Sequence, residues 1–338
     1  MDLRTRPAAF GRDVVAASIP TSRQGTTRRR LLGAAAGCAL LAGGRSAAAG
    51  DGPDAYRRPG EPEAAPLALP VAAPGAPRTA WVFGSGGPRG FVHVGVLKGL
   101  AALGLEPDFI VGASAGALAG TLWAAGLGAR RLEQLALDLQ PWDVLRWSPR
   151  GPEWLDGSGL AGFVNGALEG RPLQDLPVPV ACVATRTDDG EVVAFTRGDA
   201  GVAVQAASAI VGQLAPVRIG GVHYVDADLQ RPLPVRVARA LGATRVLAVD
   251  ASAHEDRAPR AALRYRELDL RKRALTQPDA RLADVLLHPD TGYWAGWSRA
   301  YRERLIAMGE AAVHTEAARV IALHAGDESL LHLSRTRP

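Results

Sequence analysis

The chain has 338 residues, 47% of them hydrophobic and 22% charged, with a formal net charge of +5. No apolar run reaches the roughly 18 residues needed to span a bilayer, which excludes a polytopic membrane protein. Residues 1–49 hold eight Arg, no Lys and two Asp, so the leader carries +6 and the remainder sits near −1; a nucleic-acid binder keeps a basic face on its folded part, and this chain has none to offer.

The leader comes first. Thr27-Arg28-Arg29-Arg30-Leu31-Leu32 precedes a short apolar run to Gly44, then Arg45 and Ala47-Ala48-Ala49. This reads as the n-region, h-region and small-residue cleavage site of an export signal, with adjacent arginines of the twin-arginine kind. The expected location is periplasmic. Ala35-Ala36-Gly37-Cys38 loosely matches a lipoprotein box and offers membrane anchoring through Cys38 as the alternative. After cleavage at Ala49 only Cys182 remains, in an apolar strand-like run, so no intramolecular disulfide forms and a core role is expected.

Residues 50–78 are rich in Pro, Ala and Gly without periodicity and read as a flexible tether. Strands and helices then alternate. Ala80–Gly84 and Asp108–Gly112 read as apolar strands, Gly90–Leu103 and Ala115–Ala125 as helices. Val178–Thr187 and Glu191–Arg197 form a hairpin about Asp188-Asp189-Gly190. Ala200–Ile210 is helical, and Val217–Ile219 with Val222–Val225 makes a second hairpin about Gly220-Gly221. Leu233–Leu241 is a helix, Arg245–Asp250 a strand, and one long helix runs from Gly296 to about His324. This order predicts one α/β domain over residues 79–326, a mostly parallel central sheet sandwiched by helices, with residues 327–338 as a tail.

Three segments carry candidate chemistry. Gly84-Ser85-Gly86-Gly87-Pro88-Arg89-Gly90 joins the first strand to its helix; it is either a backbone cradle for a phosphate or oxyanion, or a plain tight turn. It lacks the spacing of a dinucleotide loop and the Lys of a P-loop. Gly112-Ala113-Ser114-Ala115-Gly116 is G-x-S-x-G between a strand and a helix, the setting of a nucleophile elbow, with the Ala115 N–H placed to assist an oxyanion. Asp226, in Tyr224-Val225-Asp226-Ala227-Asp228-Leu229, ends a hairpin where a carboxylate can activate a nucleophile; read alone, it is also a solvated turn residue. Asp228 is a second candidate base. His93 reads as core. His254 and His288 follow Asp226 in the order of a conventional triad but sit in no loop motif. No His/Cys/Asp cluster has metal-ligand spacing, so neither metal nor cofactor is expected.

Together these segments resemble the patatin-like phospholipases, from about residue 79 to 326, including Pro216-Val217-Arg218-Ile219-Gly220-Gly221 before the Asp and Pro232-Leu233-Pro234-Val235 after it. The resemblance implies a Ser–Asp dyad and hydrolysis of acyl esters in lipids or phospholipids. It implies Ser114 as nucleophile, Asp226 as general base, and Gly86, Gly87 and Arg89 as the oxyanion loop. Two departures stand out: Pro88 removes one N–H donor from that loop, and Ala227 stands where the family has Gly. If residue 227 needs a positive φ, Ala is strained there. A carboxylesterase or thioesterase using the same dyad, and a catalytically impaired lipid-binding envelope protein, are the rival readings. Trp142, Trp147 and Trp154 gather in the irregular stretch Gln140–Leu160, which reads first as ordinary packing of a covering subdomain, with a lid or lipid-contact segment as the alternative. Tyr293-Trp294-Ala295-Gly296-Trp297 reads as a packing anchor.

Overall fold

The strand β1 (Thr79–Phe83) is buried along its whole length. Its alternate residues serve two cores, with Trp81 and Phe83 on one face of the sheet and Ala80 and Val82 on the other. The computed structural model describes residues 60–70, 73, 75–148, 153 and 155–327; the leader with Cys38, Trp154 and the tail beyond Asp327 lie outside the described residues.

After β1 the chain runs α1 (Phe91–Ala102), β2 (Phe109–Ala113), α2 (Ala115–Ala124), α3 (Ala129–Asp138), α4 (Pro141–Val144), β3 (Arg146–Trp147), β4 (Leu155–Asp156) and α5 (Ser158–Ala167). It continues through β5 (Val180–Arg186), β6 (Val192–Phe195), α6 (Ala200–Ala207), β7 (Val217–Ile219), β8 (Val222–Asp226) and α7 (Val235–Ala240). It closes with β9 (Arg245–Val249), α8 (Arg266–Ala280), β10 (Val285–Leu287), α9 (Arg299–Thr315) and α10 (Ala317–Ala325). The central sheet has eight strands in the order β10-β9-β1-β2-β5-β8-β7, with β6 also paired to β5. Strands β10, β9, β1, β2 and β5 are parallel; β6, β7 and β8 join antiparallel. The expected α/β sandwich is thus present, with helices covering a sheet that is apolar on both faces.

The register on β5 positions the site. Cys182 faces Gly112 of β2 on one edge and Phe195 of β6 on the other. Two residues on, Ala184 faces Asp226 of β8 and Val193 of β6. So β2 and β8 share one edge of β5 and meet head to head. β2 leaves after Ala113, opposite Val183, and β8 arrives from the other direction to end at Asp226. Residues 114 and 226 therefore converge, although 112 positions separate them in the sequence.

Several elements differ from the sequence expectation. The last helix is two, because Glu316 ends α9 at φ −100° and starts α10. The turn brings Val320 and Leu323 into the core and lets Trp81 Nε1 donate to His324 Nε2 at 2.9 Å. Its start is Arg299 rather than Gly296, because the Ser298 hydroxyl caps the Tyr301 N–H. Part of the stretch expected to be a tether is docked on the domain: Glu63 bridges Arg197, and the Glu61 carboxylate accepts the Gly220 N–H at 2.8 Å. Helices α1 and α9 cross in backbone contact, since a Cβ on Gly95 would collide with the Ile306 carbonyl and one on Gly309 with the Val92 carbonyl.

Candidate active site

The turn from β2 into α2 is set by its glycines. A side chain on Gly112 would press on the Gly116 carbonyl, and one on Gly116 would collide with the Phe83 carbonyl at the end of β1. The helix can start this close to the sheet only without them. Between them Ser114 takes φ 53° and ψ −125°, one of two non-glycine residues at positive φ among the described residues. That is a strained conformation for an L-residue, of the kind found at nucleophile elbows. The Ser114 N–H donates to Ala207 O at 3.0 Å and the Asp226 N–H to Ala209 O at 2.9 Å, so one turn at the end of α6 fixes both backbones.

Ser114 and Asp226 are both buried, and the nearby Ser114 hydroxyl favours the ionised form of the Asp226 carboxyl. The Asp228 N–H donates to Asp226 Oδ1 at 2.9 Å. Burial, reinforced by the neighbouring Asp228 charge, pushes the Asp226 carboxyl up to about 7. Asp228 behaves oppositely. Burial would raise its carboxyl, but Lys272 Nζ at 2.7 Å, the Ser85 hydroxyl and the Arg89 charge outweigh it and hold Asp228 below the ordinary range. The two candidate bases thus separate: Asp226 meets Ser114, whereas Asp228 is held ionised by Ser85 and Lys272.

The glycine loop packs directly on the nucleophile turn, since a Cβ on Gly90 would collide with Ala115. Gly87 needs its φ of 52°. Pro88 falls at the start of the 3₁₀ turn Gly87–Gly90, where no intrahelical N–H is required, so it fits without loss of a turn bond. The Arg89 N–H donates to Gly86 O at 3.0 Å, which commits it to the turn. The candidate oxyanion donors are therefore Gly86, Gly87 and Ala115, while the Arg89 guanidinium donates to the carbonyls of Gly292 and Tyr293. Ala227 opens the 3₁₀ turn Ala227–Leu229 and is not at positive φ, so the alanine is unstrained there. Neither departure from the family pattern strains its turn.

His93 is fully buried, donates from Nε2 to the Gly84 carbonyl at 2.8 Å, and is pushed down by burial to about 4. It is a neutral strut under the glycine loop. His254 and His288 stack on each other at 3.9 Å, with their ring nitrogens at the His288 and Ser252 carbonyls, and they do not form a triad with Ser114. Among the described residues no group of three His, Cys, Asp or Glu side chains could hold a metal ion. Beside Ser114 lies an apolar cavity whose lining includes Gly87, Gly90 and Ala115 of the two turns, with Leu122, Leu132, Phe163 and Trp297 further in. Trp297 reaches it by packing edge-on to Phe91 at 5.7 Å, a role the reading as a packing anchor did not include. Sequence reasoning also missed Lys272, which α8 brings to Asp228.

Residues 81–239 match the model of the patatin-like phospholipases. This segment belongs to that family. An uncharacterised NTE family protein of Mycobacterium tuberculosis is 32% identical over 197 residues, covering 56% of this chain and 54% of its own. The human patatin-like phospholipase domain-containing protein 6 is 28% identical over 187 residues, covering 52% of this chain and 14% of its own. The chain thus spans about half the length, or less, of the curated relatives it matches. Among solved structures, VipD of Legionella pneumophila superposes with a TM-score of 0.51 at 13% identity, covering 78% of this chain and 71% of VipD. That likeness extends the shared fold beyond the matched patatin-like segment.

Proposed function

We propose that the protein is a serine lipid acyl hydrolase, of phospholipase A or esterase type, in which Ser114 is the nucleophile and Asp226 the general base. The observation that carries this reading is the convergence of buried Ser114, at a strained elbow beside the glycine loop, with buried Asp226 at the end of β8. Membership of the patatin-like family supports ester hydrolysis as the reaction.

Ser114 Oγ attacks the ester carbonyl carbon while Asp226 takes its proton. The Gly86, Gly87 and Ala115 N–H groups receive the developing oxyanion, a contribution of about 3–4 kcal/mol per donor. Collapse expels the alcohol, which leaves with the proton from Asp226, and Asp226 then deprotonates the water that releases the acyl group from Ser114. A carboxylate at its ordinary pKa is a weak base for an alcohol; one raised to about 7 is better matched to the task. The acyl chain enters the apolar cavity, and no cofactor is required. The leader supports an exported, periplasmic protein, with lipidation at Cys38 as the variant form.

Fluorophosphonate labelling of the protein, with Ser114→Ala alongside, tests the nucleophile. The expected outcome is a label mapped to Ser114 in the wild type and none in the variant. A well-folded wild type that takes no label defeats the reading.

Trp142 and Trp147, each 62% exposed, support contact with a membrane surface. Replacing both by Ala is expected to lower turnover on phospholipid vesicles more than on soluble short-chain esters. Equal losses on the two substrates defeat that part of the proposal.

A further inference from the structure

The family match ends at residue 239, yet the site continues beyond it. Lys272 lies on α8, a helix with little apolar periodicity whose buried residues are only Thr276 and Asp279. Its ammonium donates to Asp228 Oδ1 at 2.7 Å and reaches Ser85 Oγ at 3.4 Å. The Ser85 hydroxyl in turn donates to the same Asp228 oxygen, and the Asp228 N–H holds Asp226 Oδ1. One ammonium therefore ties the turn that carries the base to the loop that carries the oxyanion donors.

We propose that Lys272 is a positioning residue for the Ser114–Asp226 dyad, acting through Asp228 and Ser85 to hold the base turn against the glycine loop and to set the pH at which Asp226 becomes competent. This rests on the dyad reading above. The charged groups around Lys272 are few enough to name. Asp228 and Asp250 face it with negative charge, and Arg89 with positive charge. Of the other charges on its helix, Asp279 pairs with Arg231 and Arg236, Arg273 with Glu255, and Asp269 accepts from the Tyr293 hydroxyl, while Arg266, Glu267 and Arg271 are exposed. Lys272 is thus the cation hydrogen-bonded to Asp228, and Asp228 is the charge that pushes Asp226 up.

The two partners must then act in opposite directions. Removing the Lys272 charge leaves two neighbouring carboxylates without their counter-ion, which raises the pKa seen in turnover. Removing the Asp228 charge leaves Asp226 beside an unneutralised cation, which lowers it. A merely structural role for Lys272 would cost stability without moving the titration.

The test is the pH dependence of kcat and KM on a soluble ester for the full chain, comparing wild type, Lys272→Met, Lys272→Arg, Asp228→Asn and Ser114→Ala, with thermal melts alongside. The expected results are an acidic limb near pH 7 in the wild type, moved up by about one pH unit in Lys272→Met and down by about one pH unit in Asp228→Asn. Lys272→Met should also lose about tenfold in kcat with little change in KM, and Lys272→Arg should recover most of both. Should Lys272→Met fail to fold, the movement of the acidic limb in Asp228→Asn still decides the matter. Limbs that superimpose on the wild type in a folded Lys272→Met and in Asp228→Asn, with Ser114→Ala inactive, overturn the role of Lys272 and leave the dyad standing. Retained turnover in Ser114→Ala overturns the dyad and this role with it.

Discussion

The two turns that build the site hold their functional side chains at different costs. The nucleophile turn is strained in its backbone: Ser114 sits at φ 53° between glycines that let a helix start against the sheet. The base turn is relaxed in its backbone and strained electrostatically, because Ala227 begins an ordinary 3₁₀ turn while Asp226 is buried beside a second carboxylate. One cost is conformational and independent of pH; the other is a protonation equilibrium and changes with it. Separate substitutions can therefore remove each cost, and both are expected to leave an inactive protein of raised stability.

The largest effect belongs to the base. Asp226→Asn should lose at least about 10³-fold in kcat, since the amide cannot accept the Ser114 proton. Its stability should depart from the wild type in a pH-dependent way. The Asp226 carboxyl is raised from 3.8 to about 7 on folding, so between those values the native state retains a proton that the unfolded chain has released. Wild-type stability accordingly falls as pH rises through that window, by about 1.4 kcal/mol per pH unit crossed. Asn carries no such penalty. Melts of the two proteins should therefore nearly coincide close to pH 4 and diverge above pH 7 in favour of Asp226→Asn. A constant difference across that range would mean that the carboxyl is not raised.

The nucleophile turn is expected to give a smaller effect without pH dependence. Ser114→Ala and Ser114→Gly both remove the hydroxyl beside Asp226, so they differ only in what the backbone requires. A non-glycine residue in a sparsely populated region costs about 1–3 kcal/mol, partly offset by the extra unfolded-state freedom of Gly. Ser114→Gly should be more stable than Ser114→Ala by about 1 kcal/mol in denaturant unfolding. Equal stability would place the strain elsewhere.

The same contrast explains what could be read in the sequence. The elbow is a local object: strand, G-x-S-x-G and helix lie within one short stretch, and each glycine has a reason that its neighbours supply. The apolar runs of β1, β2, β5 and β9 are equally local, and the sandwich follows from them. That Asp226 meets Ser114 depends on two strands sharing one edge of β5, a fact of register between distant segments. The family resemblance supplied the pairing, and the residues alone left Asp228 open as the base. Lys272 was illegible because α8 shows almost no apolar stripe and its importance lies in one tertiary contact. The concern over Ala227 arose from importing a glycine's conformation into a turn that does not use it.

That last point yields the smallest and most discriminating expectation. If the base turn needed a positive φ, Ala227→Gly would relieve strain, stabilise the protein and raise kcat. With Ala227 at negative φ, fully buried and packed with Leu233 in the core on its face of the sheet, Gly gains nothing and loses a methyl group and backbone order. Ala227→Gly is expected to cost about 0.5–1 kcal/mol in unfolding free energy, with kcat unchanged or lower. The opposite sign from Ser114→Gly, produced by the same kind of substitution in the two turns of the proposed dyad, would separate a turn that is strained from one that is charged.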